Sequence, residues 1–295
     1  MSKQPRNKLN GWLNLNKPLG ISSAGAVNKV KWLLRPEKIG HAGTLDPLAT
    51  GVLPLALGEG TKCVNLLMDA KKTYEFTVTF GERRSTDDAE GDVVATSDHI
   101  PSAEEIKAVL TRFTGPIQQT PPIYSAIKVD GERAYALARA GEAVELKSRQ
   151  VTIHTLQLLA LNGREAQFQA QVSKGTYIRS LGRDIAQTLG SEGYISRLHR
   201  SAVGPFTDRN AISLDFLEES GHKAPPLLPL HTALDDIPAH ALDGSQLAKL
   251  RQGQAILLAN PIPPTELLAA MFEGQLVALA RTDGRTIFPV RLILP

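Results

Sequence analysis

Cysteine occurs once in the 295 residues, at Cys63, so the chain can form no internal disulfide. With no Cys/His set at ligand spacing, neither a structural zinc nor any other metal site is expected. No apolar run approaches the ~18 residues of a membrane span. The basic start, "MSKQPRNKLNGW", leads into no apolar segment of the secretory kind, so a cytoplasmic protein away from membranes is expected. Internal repeats and low-complexity tracts are missing as well. Acidic residues are nearly absent from the first forty positions: Glu37 stands alone against Lys3, Arg6, Lys8, Lys17, Lys29, Lys31, Arg35 and Lys38. That segment carries +7 and the other 255 residues sum to −4, giving the net +3. Positive charge confined to one end of a near-neutral body suits a polyanionic partner.

What is present is an ordinary globular composition, 42% hydrophobic and 21% charged, long enough for one full core and a second, smaller domain. "GWLNLNKPLG" reads as a strand ending in a turn. Ser22 or Ser23 then caps a helix with Val27, Val30, Leu33 and Leu34 on one face, ended by Pro36. "KKTYEFTVTFGE" alternates cleanly, with Tyr74, Phe76, Val78 and Phe80 on one side of a strand. Ser102 and Glu105 form a capping box for a helix that buries Ile106, Val109, Leu110 and Phe113. "EAQFQAQV" alternates again, and after Gly175 the spacing of Ile178, Leu181, Ile185 and Leu189 predicts a helix with Arg179 in its first turn. A cation there opposes the helix dipole by about 0.3–1 kcal/mol, so it needs an anionic partner. "YISRLHRSAVGPF" predicts another strand. Past "APPLLPLHTALDD" the texture becomes short strands, glycines and prolines, as in a small all-β domain. Residues 120–150, with paired prolines and a short polar helix around "ERAYALARAG", read as an insertion projecting from the body. Cys63, in "TKCVNLLMD", has helical spacing and is expected to be buried and inert.

The stretch "GHAGTLDPLATGVLPLALGEGTK", residues 40–62, is the most unusual. Asp46 before Pro47 has the form of an N-cap to a one-turn helix closed by Gly51. Gly40, Gly43, Gly51, Gly58 and Gly60 together exceed what one cap requires and suggest a loop shaped around a ligand, with Asp46 as a candidate reagent.

Taken together and in order, "NKPLGISS", "KIGHAGTLDPLATGVLPLALGEGTK", "KTYEFTVTFGERRSTDDAEGD", "PPIYSAIKVDGERAYALAR", "GTYIRSLGRDIA" and "SRLHRSAVGPF" resemble the bacterial tRNA pseudouridine synthases of the TruB family over nearly the whole chain. The resemblance implies an α+β catalytic domain at 1–228, built on a mixed, largely antiparallel central sheet with flanking helices. It also implies an RNA-clamping insertion at about 120–150 and a small β-rich, PUA-like RNA-binding domain at 229–295. It implies an isomerase that converts uridine 55 of the tRNA T-loop to pseudouridine without a cofactor, and that aids tRNA folding. The expected partner is the T-loop and stem of tRNA, the expected state a monomer with no obligate protein partner. By position, Asp46 matches the catalytic aspartate, Arg179 and Tyr177 the "YIR" pair, and Tyr74 the active-site tyrosine. His41 matches the histidine that meets the substrate nucleotide, Leu198 the aliphatic residue packed by the flipped base, and Lys17 lies in the substrate-binding set. "LHRSAVGPF" stands where "LRRTAVGPF" is the family form, a departure that touches no catalytic position.

Flipping the nucleotide costs a few kcal/mol, recovered by stacking and edge hydrogen bonds. Asp46 then serves as nucleophile or base, with Arg179 supplying the opposite charge, and Tyr74 is the alternative base for the C5 proton. Other readings are weaker. A methyltransferase lacks its cofactor fingerprint, and an aspartyl phosphotransferase needs a second aspartate where Leu48 stands. A glycosidase would take its second carboxylate from Asp87, Asp88, Glu90 or Asp92. A non-catalytic RNA chaperone would bind tRNA without forming pseudouridine.

Overall fold

The computed structural model describes residues 6–125, 127–129, 131–134, 137, 140, 146–220, 225 and 227–294. Half of the residues of the helix expected at 132–141 fall outside these, and the segment expected to be a clamp is described in part, including a short hairpin of Lys128–Val129 and Glu132–Arg133. Among the described residues, no helix is long and apolar enough to cross a membrane, and no group of three potential ligands could hold a metal ion.

A ten-stranded mixed sheet forms the body. Its centre is the strand Gly193–Val203, which pairs antiparallel with Lys72–Phe80 and parallel with Ala49–Leu57. Gly11–Lys17 lies antiparallel to Ala49–Leu57 on the other side. Beyond Lys72–Phe80 come Glu165–Val172, Arg149–Asn162 and Gly115–Gln119, each antiparallel to the last. Apolar alternation works as anticipated in two of these strands: Tyr74, Phe76 and Val78 stand opposite Ala170, Phe168 and Ala166, with the Phe76 and Phe168 rings stacked 5.3 Å apart in the core.

The helix Ser23–Leu34 carries the expected Ser22 cap, and its Ala26, Val30, Leu33 and Leu34 are buried. The capping box of Ser102 and Glu105 is formed, although only Ile106 and Leu110 of that helix are fully buried. The helix Ile178–Thr188 lies hard against the sheet, because at Gly182 a side chain would meet Ile195 and Val78; an added Cβ would fall 2.6 Å from the Ile195 methyl. That close approach fixes where Arg179 points.

Two expectations need correction. The run after Asp46 is not a capped helical turn: Ala49–Leu57 is a strand buried on both faces, which is why it reads as a continuous apolar run rather than an alternation. The C-terminal region is not purely β. It has a five-stranded sheet built on Thr265–Phe272, Gln275–Thr282 and Thr286–Leu292, but also the helix Gly244–Arg251, started by a capping box of Asp243 and Gln246 and seated through Leu247 and Leu250.

The C-terminal sheet shares a core with the body. Trp12, Val52, Cys63 and Phe206 form one buried cluster with Ala233, Leu234, Leu276, Leu279 and Ile293. Lys62 donates to the Leu292 carbonyl (2.9 Å) and pairs with Glu59, which accepts from the Leu294 amide (2.8 Å). Cys63 is fully buried, and burial pushes its thiol up to about 11, as an inert packing residue requires.

Candidate active site

Asp46 sits on the loop between the short strand Ile39–His41 and Ala49–Leu57, at the edge of a cleft of about 1320 Å³. The loop is held by three side chains from different elements. The hydroxyl of Ser23, first residue of its helix, accepts from the Leu45 amide (2.7 Å) and donates to the Leu45 carbonyl (2.9 Å). The buried Arg200 guanidinium donates to the carbonyls of Val52 (2.8 Å), Gly43 (3.1 Å) and Thr44 (3.3 Å). Lys17 is fully buried and donates to the carbonyls of Ile21 (2.7 Å), Pro18 (2.9 Å) and Pro47 (3.4 Å). Lys17 therefore does not line the cleft, and the expectation that it binds substrate is replaced by support of the loop from behind. All the donors of its ammonium are engaged by backbone oxygens.

Glycine geometry matters at Gly51, whose φ is +100° and whose added Cβ would lie 2.3 Å from the Arg200 carbonyl oxygen. Gly51 lies inside the strand, paired with Lys17 on one side and Arg200 on the other, where the backbones approach too closely for a side chain.

Arg179 is the hub. Its guanidinium, 6% exposed, reaches Asp46 Oδ2 at 2.8 Å and Asp88 Oδ2 at 3.4 Å, and donates to the carbonyls of Tyr124 (3.0 Å) and Thr86 (3.1 Å). The anionic partner that its place in the helix demanded is thus present twice. The two carboxylates differ: the Asp46 side chain is 39% exposed to the cleft, while that of Asp88 is 3% exposed. Asp88 Oδ1 also accepts from the Thr86 hydroxyl and the Glu90 amide. A carboxylate with its acceptors so occupied is an anchor for Arg179 and is poorly placed to be the second carboxylate of a glycosidase.

The other anticipated residues converge on the same cleft. Tyr74 stands opposite Arg200 on the neighbouring strand, and Leu198 opposite Ala49 and Phe76, so both project from the middle of the sheet. Tyr177 caps the helix that bears Arg179. Its amide donates to Gln119 Oε1 (2.8 Å), its carbonyl accepts from Gln119 Nε2 (3.1 Å), and the Arg149 guanidinium lies 5.1 Å from its ring centroid. His41 is half-buried; burial and the Arg200 charge hold its imidazole below the usual value, which favours the neutral ring. Its Nδ1 is buried and meets no hydrogen-bond partner of good geometry among the described residues, the Gly43 backbone being the polar group beside the ring.

Lys72 lines the cleft with its ammonium bound to the Met68, Ala70 and Leu67 carbonyls. Burial above all, with the Arg200 charge acting in the same direction, pushes both Lys17 and Lys72 down to about 8. Beside Asp46 the cleft is lined by the buried cations Lys72 and Arg200, whose donors are spent on backbone oxygens, while Asp69, Glu90 and Asp92 bring exposed carboxylates to its rim. The buried cations attract an anionic ligand without giving up the bonds that fix their geometry.

Sequence reasoning assigned no role to Gln119, Tyr124 or Arg200, weighed Ser23 only as a helix cap and weighed Asp88 only as a second carboxylate of a glycosidase. For Arg200 a signal existed: it is two residues from Leu198 on a strand and so shares the face that Leu198 turns to the cleft.

Comparison with known proteins agrees with this geometry. Residues 31–178 match the family model described as TruB family pseudouridylate synthase, N-terminal domain. A tRNA pseudouridine synthase B of Rhodospirillum rubrum is 47% identical over 306 residues, covering 99% of both chains. One from Bradyrhizobium diazoefficiens is 48% identical over 301 residues, covering 98% of this chain and 87% of the relative. Among solved structures, an H/ACA RNP bound to a substrate RNA containing 2'-deoxyuridine superposes with a TM-score of 0.73 at 26% identity, covering 97% of this chain and 85% of that one. A Cbf5–Nop10–Gar1 complex gives 0.72 at 29% identity with the same coverage. The mixed sheet, the "GTLDP" loop aspartate and these full-length matches together make the chain a member of the TruB family of pseudouridylate synthases.

Proposed function

We propose that the protein isomerises uridine 55 in the T-loop of tRNA to pseudouridine, with Asp46 as the reacting carboxylate. The observation that carries the reading is the asymmetry about Arg179: of two carboxylates on one buried guanidinium, only Asp46 opens to the cleft. The reaction breaks the bond between N1 of uracil and C1' of ribose and forms one between C5 and the same C1'. The C5 proton is lost and N1 gains one, so no oxidant, reductant or cofactor is consumed.

The base is turned out of its stack into the cleft, where Leu198 supplies an apolar wall and Tyr74 and Tyr177 supply rings. The neutral His41 ring donates or accepts one hydrogen bond on the displaced nucleotide. Asp46 attacks the nucleoside or takes its proton while Arg179 fixes its carboxylate, a loss of freedom arranged before substrate arrives. The C-terminal sheet and the flanks of the 120–150 segment hold the rest of the RNA, with that segment closing over the T-loop. The enzyme works on tRNA in the cytoplasm as a monomer and assists tRNA folding through the same contacts.

Asp46→Asn tests the reading in a single-turnover assay on a T-arm hairpin. The amide is isosteric but neither a nucleophile nor a base. Pseudouridine formation is expected to vanish with RNA affinity within a few-fold of wild type; residual turnover near wild type removes Asp46 from the chemistry.

A further inference from the structure

The positive charge of the first forty residues is not spent at the cleft. Of those basic residues, Lys17 is buried behind the Asp46 loop and Lys29 pairs with Glu218. Arg6, Lys8, Lys31, Arg35 and Lys38 gather elsewhere. Residues 6–8 run beside 35–37: the Asn7 amide donates to the Arg35 carbonyl (2.8 Å), the Asn7 side chain to the Leu34 carbonyl (2.8 Å), and Arg6 to the Glu37 carbonyl (3.4 Å). Arg35 ends its helix in the left-handed conformation, φ 49°, with its amide on the Lys31 carbonyl, which sets the two one turn apart. Arg6, Lys8, Lys31 and Lys38 are exposed and Arg35 half-exposed, and none of the five forms an ion pair among the described residues. The only acidic residue within these two segments is Glu37.

A helix C-terminus favours cations in its last turn. That accounts for Lys31 and Arg35, but not for Arg6, Lys8 and Lys38, which lie outside the helix. The helix end of the cluster is also remote from the chemistry. Ser23, at the other end of the helix, holds Leu45 next to Asp46, and eleven residues at 1.5 Å each put Leu34 and Arg35 about 17 Å further on, while Lys38 stands at the outer end of the strand that leads to His41. It borders the C-terminal sheet instead: the Lys38 carbonyl accepts from Gly58, and Glu59, which feels the Lys38 charge, is bonded to Leu294.

We infer that this face is a second RNA contact, gripping the phosphate backbone of a part of tRNA outside the arm that carries the reacting uridine. The inference rests on tRNA being the substrate, as proposed above. Exposed Lys and Arg with no ion-pair partner among the described residues bind backbone charge rather than base sequence, and the exposed Trp32 between Lys31 and Arg35 offers a flat face beside them.

The test compares full-length tRNA transcript with the isolated T-arm hairpin, using the triple variant Lys8→Gln, Lys31→Gln, Lys38→Gln, which alters exposed side chains only. Three lost phosphate contacts should flatten the slope of log Kd against log salt for full-length tRNA by about 2–3, and raise Kd at moderate salt about tenfold. The single-turnover rate at saturating RNA and the Kd for the hairpin should stay within twofold of wild type. An unchanged Kd and slope for full-length tRNA overturns the inference, and so does an equal loss on the hairpin. Failure of the tRNA reading itself looks different: the wild-type enzyme would then form no pseudouridine in either RNA.

Discussion

Replacing Arg179 by lysine keeps the charge and removes the planar fork, and the two ends of that fork should fail in different assays. The guanidinium serves four acceptors at 2.8–3.4 Å, the carboxylates of Asp46 and Asp88 and the carbonyls of Thr86 and Tyr124. A single ammonium cannot span both carboxylates, so one must lose its cation. The Asp88 end is deeply buried, and a buried charge deprived of its partner costs about 3–5 kcal/mol. The Asp46 end is 39% exposed, so solvent screening leaves it a contribution to stability of about 0–1 kcal/mol. For chemistry the order is reversed. Loss of a preorganised donor at the reacting group costs about 2.7–4 kcal/mol, or 10²–10³ in rate. Arg179→Lys should therefore lower single-turnover conversion of a T-arm hairpin by at least 10² and shift the urea midpoint downward. Asp88→Asn should leave conversion within about tenfold while costing about 1–3 kcal/mol of stability, because the amide replaces one charge-assisted bond and leaves Asp46 in place. Turnover of Arg179→Lys within threefold of wild type would refute the positioning argument. Loss of all turnover in Asp88→Asn at undiminished stability would move the second carboxylate into the reaction.

Two further outcomes follow from the loop and the buried lysines. Gly51→Ala meets both a left-handed backbone and the Arg200 carbonyl at 2.3 Å, so urea unfolding should show a loss of more than about 2 kcal/mol; wild-type stability would mean the strand can relax. Lys72, held at about 8 against 10.5 when unfolded, binds fewer protons folded than unfolded between those values. Its contribution to stability must rise as pH rises from about 8 toward 10.5 and stay flat below. Lys72→Met should remove its share of that alkaline gain in denaturation curves taken across the range, leaving the share of Lys17, which is lowered to the same value, and identical profiles for variant and wild type would show that burial does not govern the Lys72 titration.

The parts of the fold that could be read from sequence are those with a strong local pattern. Tyr74, Phe76, Val78 and Phe80 alternate with Glu75, Thr77 and Thr79, although Thr77 and Thr79 are buried as well, and the capping box at Ser102 announces a helix through backbone needs that are local. Arg179 could be placed in a first turn for the same reason, and with it the need for a carboxylate. Ala49–Leu57 hid because burial on both faces erases period two, and because Gly51 and Pro54 inside it look like breakers. The helix Gly244–Arg251 had its signal in Asp243, Gln246, Leu247 and Leu250 and was overlooked among glycines and prolines. Lys17 and Arg200 show the limit of residue type as a guide: each is a cation beside a catalytic loop, and only the backbone oxygens around it, gathered from distant parts of the chain, decide that it braces the loop.

The apolar cluster running from Trp12 through Leu234 to Ile293 bears on what counts as a domain in this chain. A boundary near residue 228 separates two sheets by connectivity, yet neither sheet can present its inner face to water without uncovering the other's. The strand Gly11–Lys17 is itself bridged at Trp12 to Leu228, on the threshold of the C-terminal part. The two parts are distinct in topology, each with a cluster of its own, and this third cluster is common to both, so that the smaller sheet is a wall of one face of the larger.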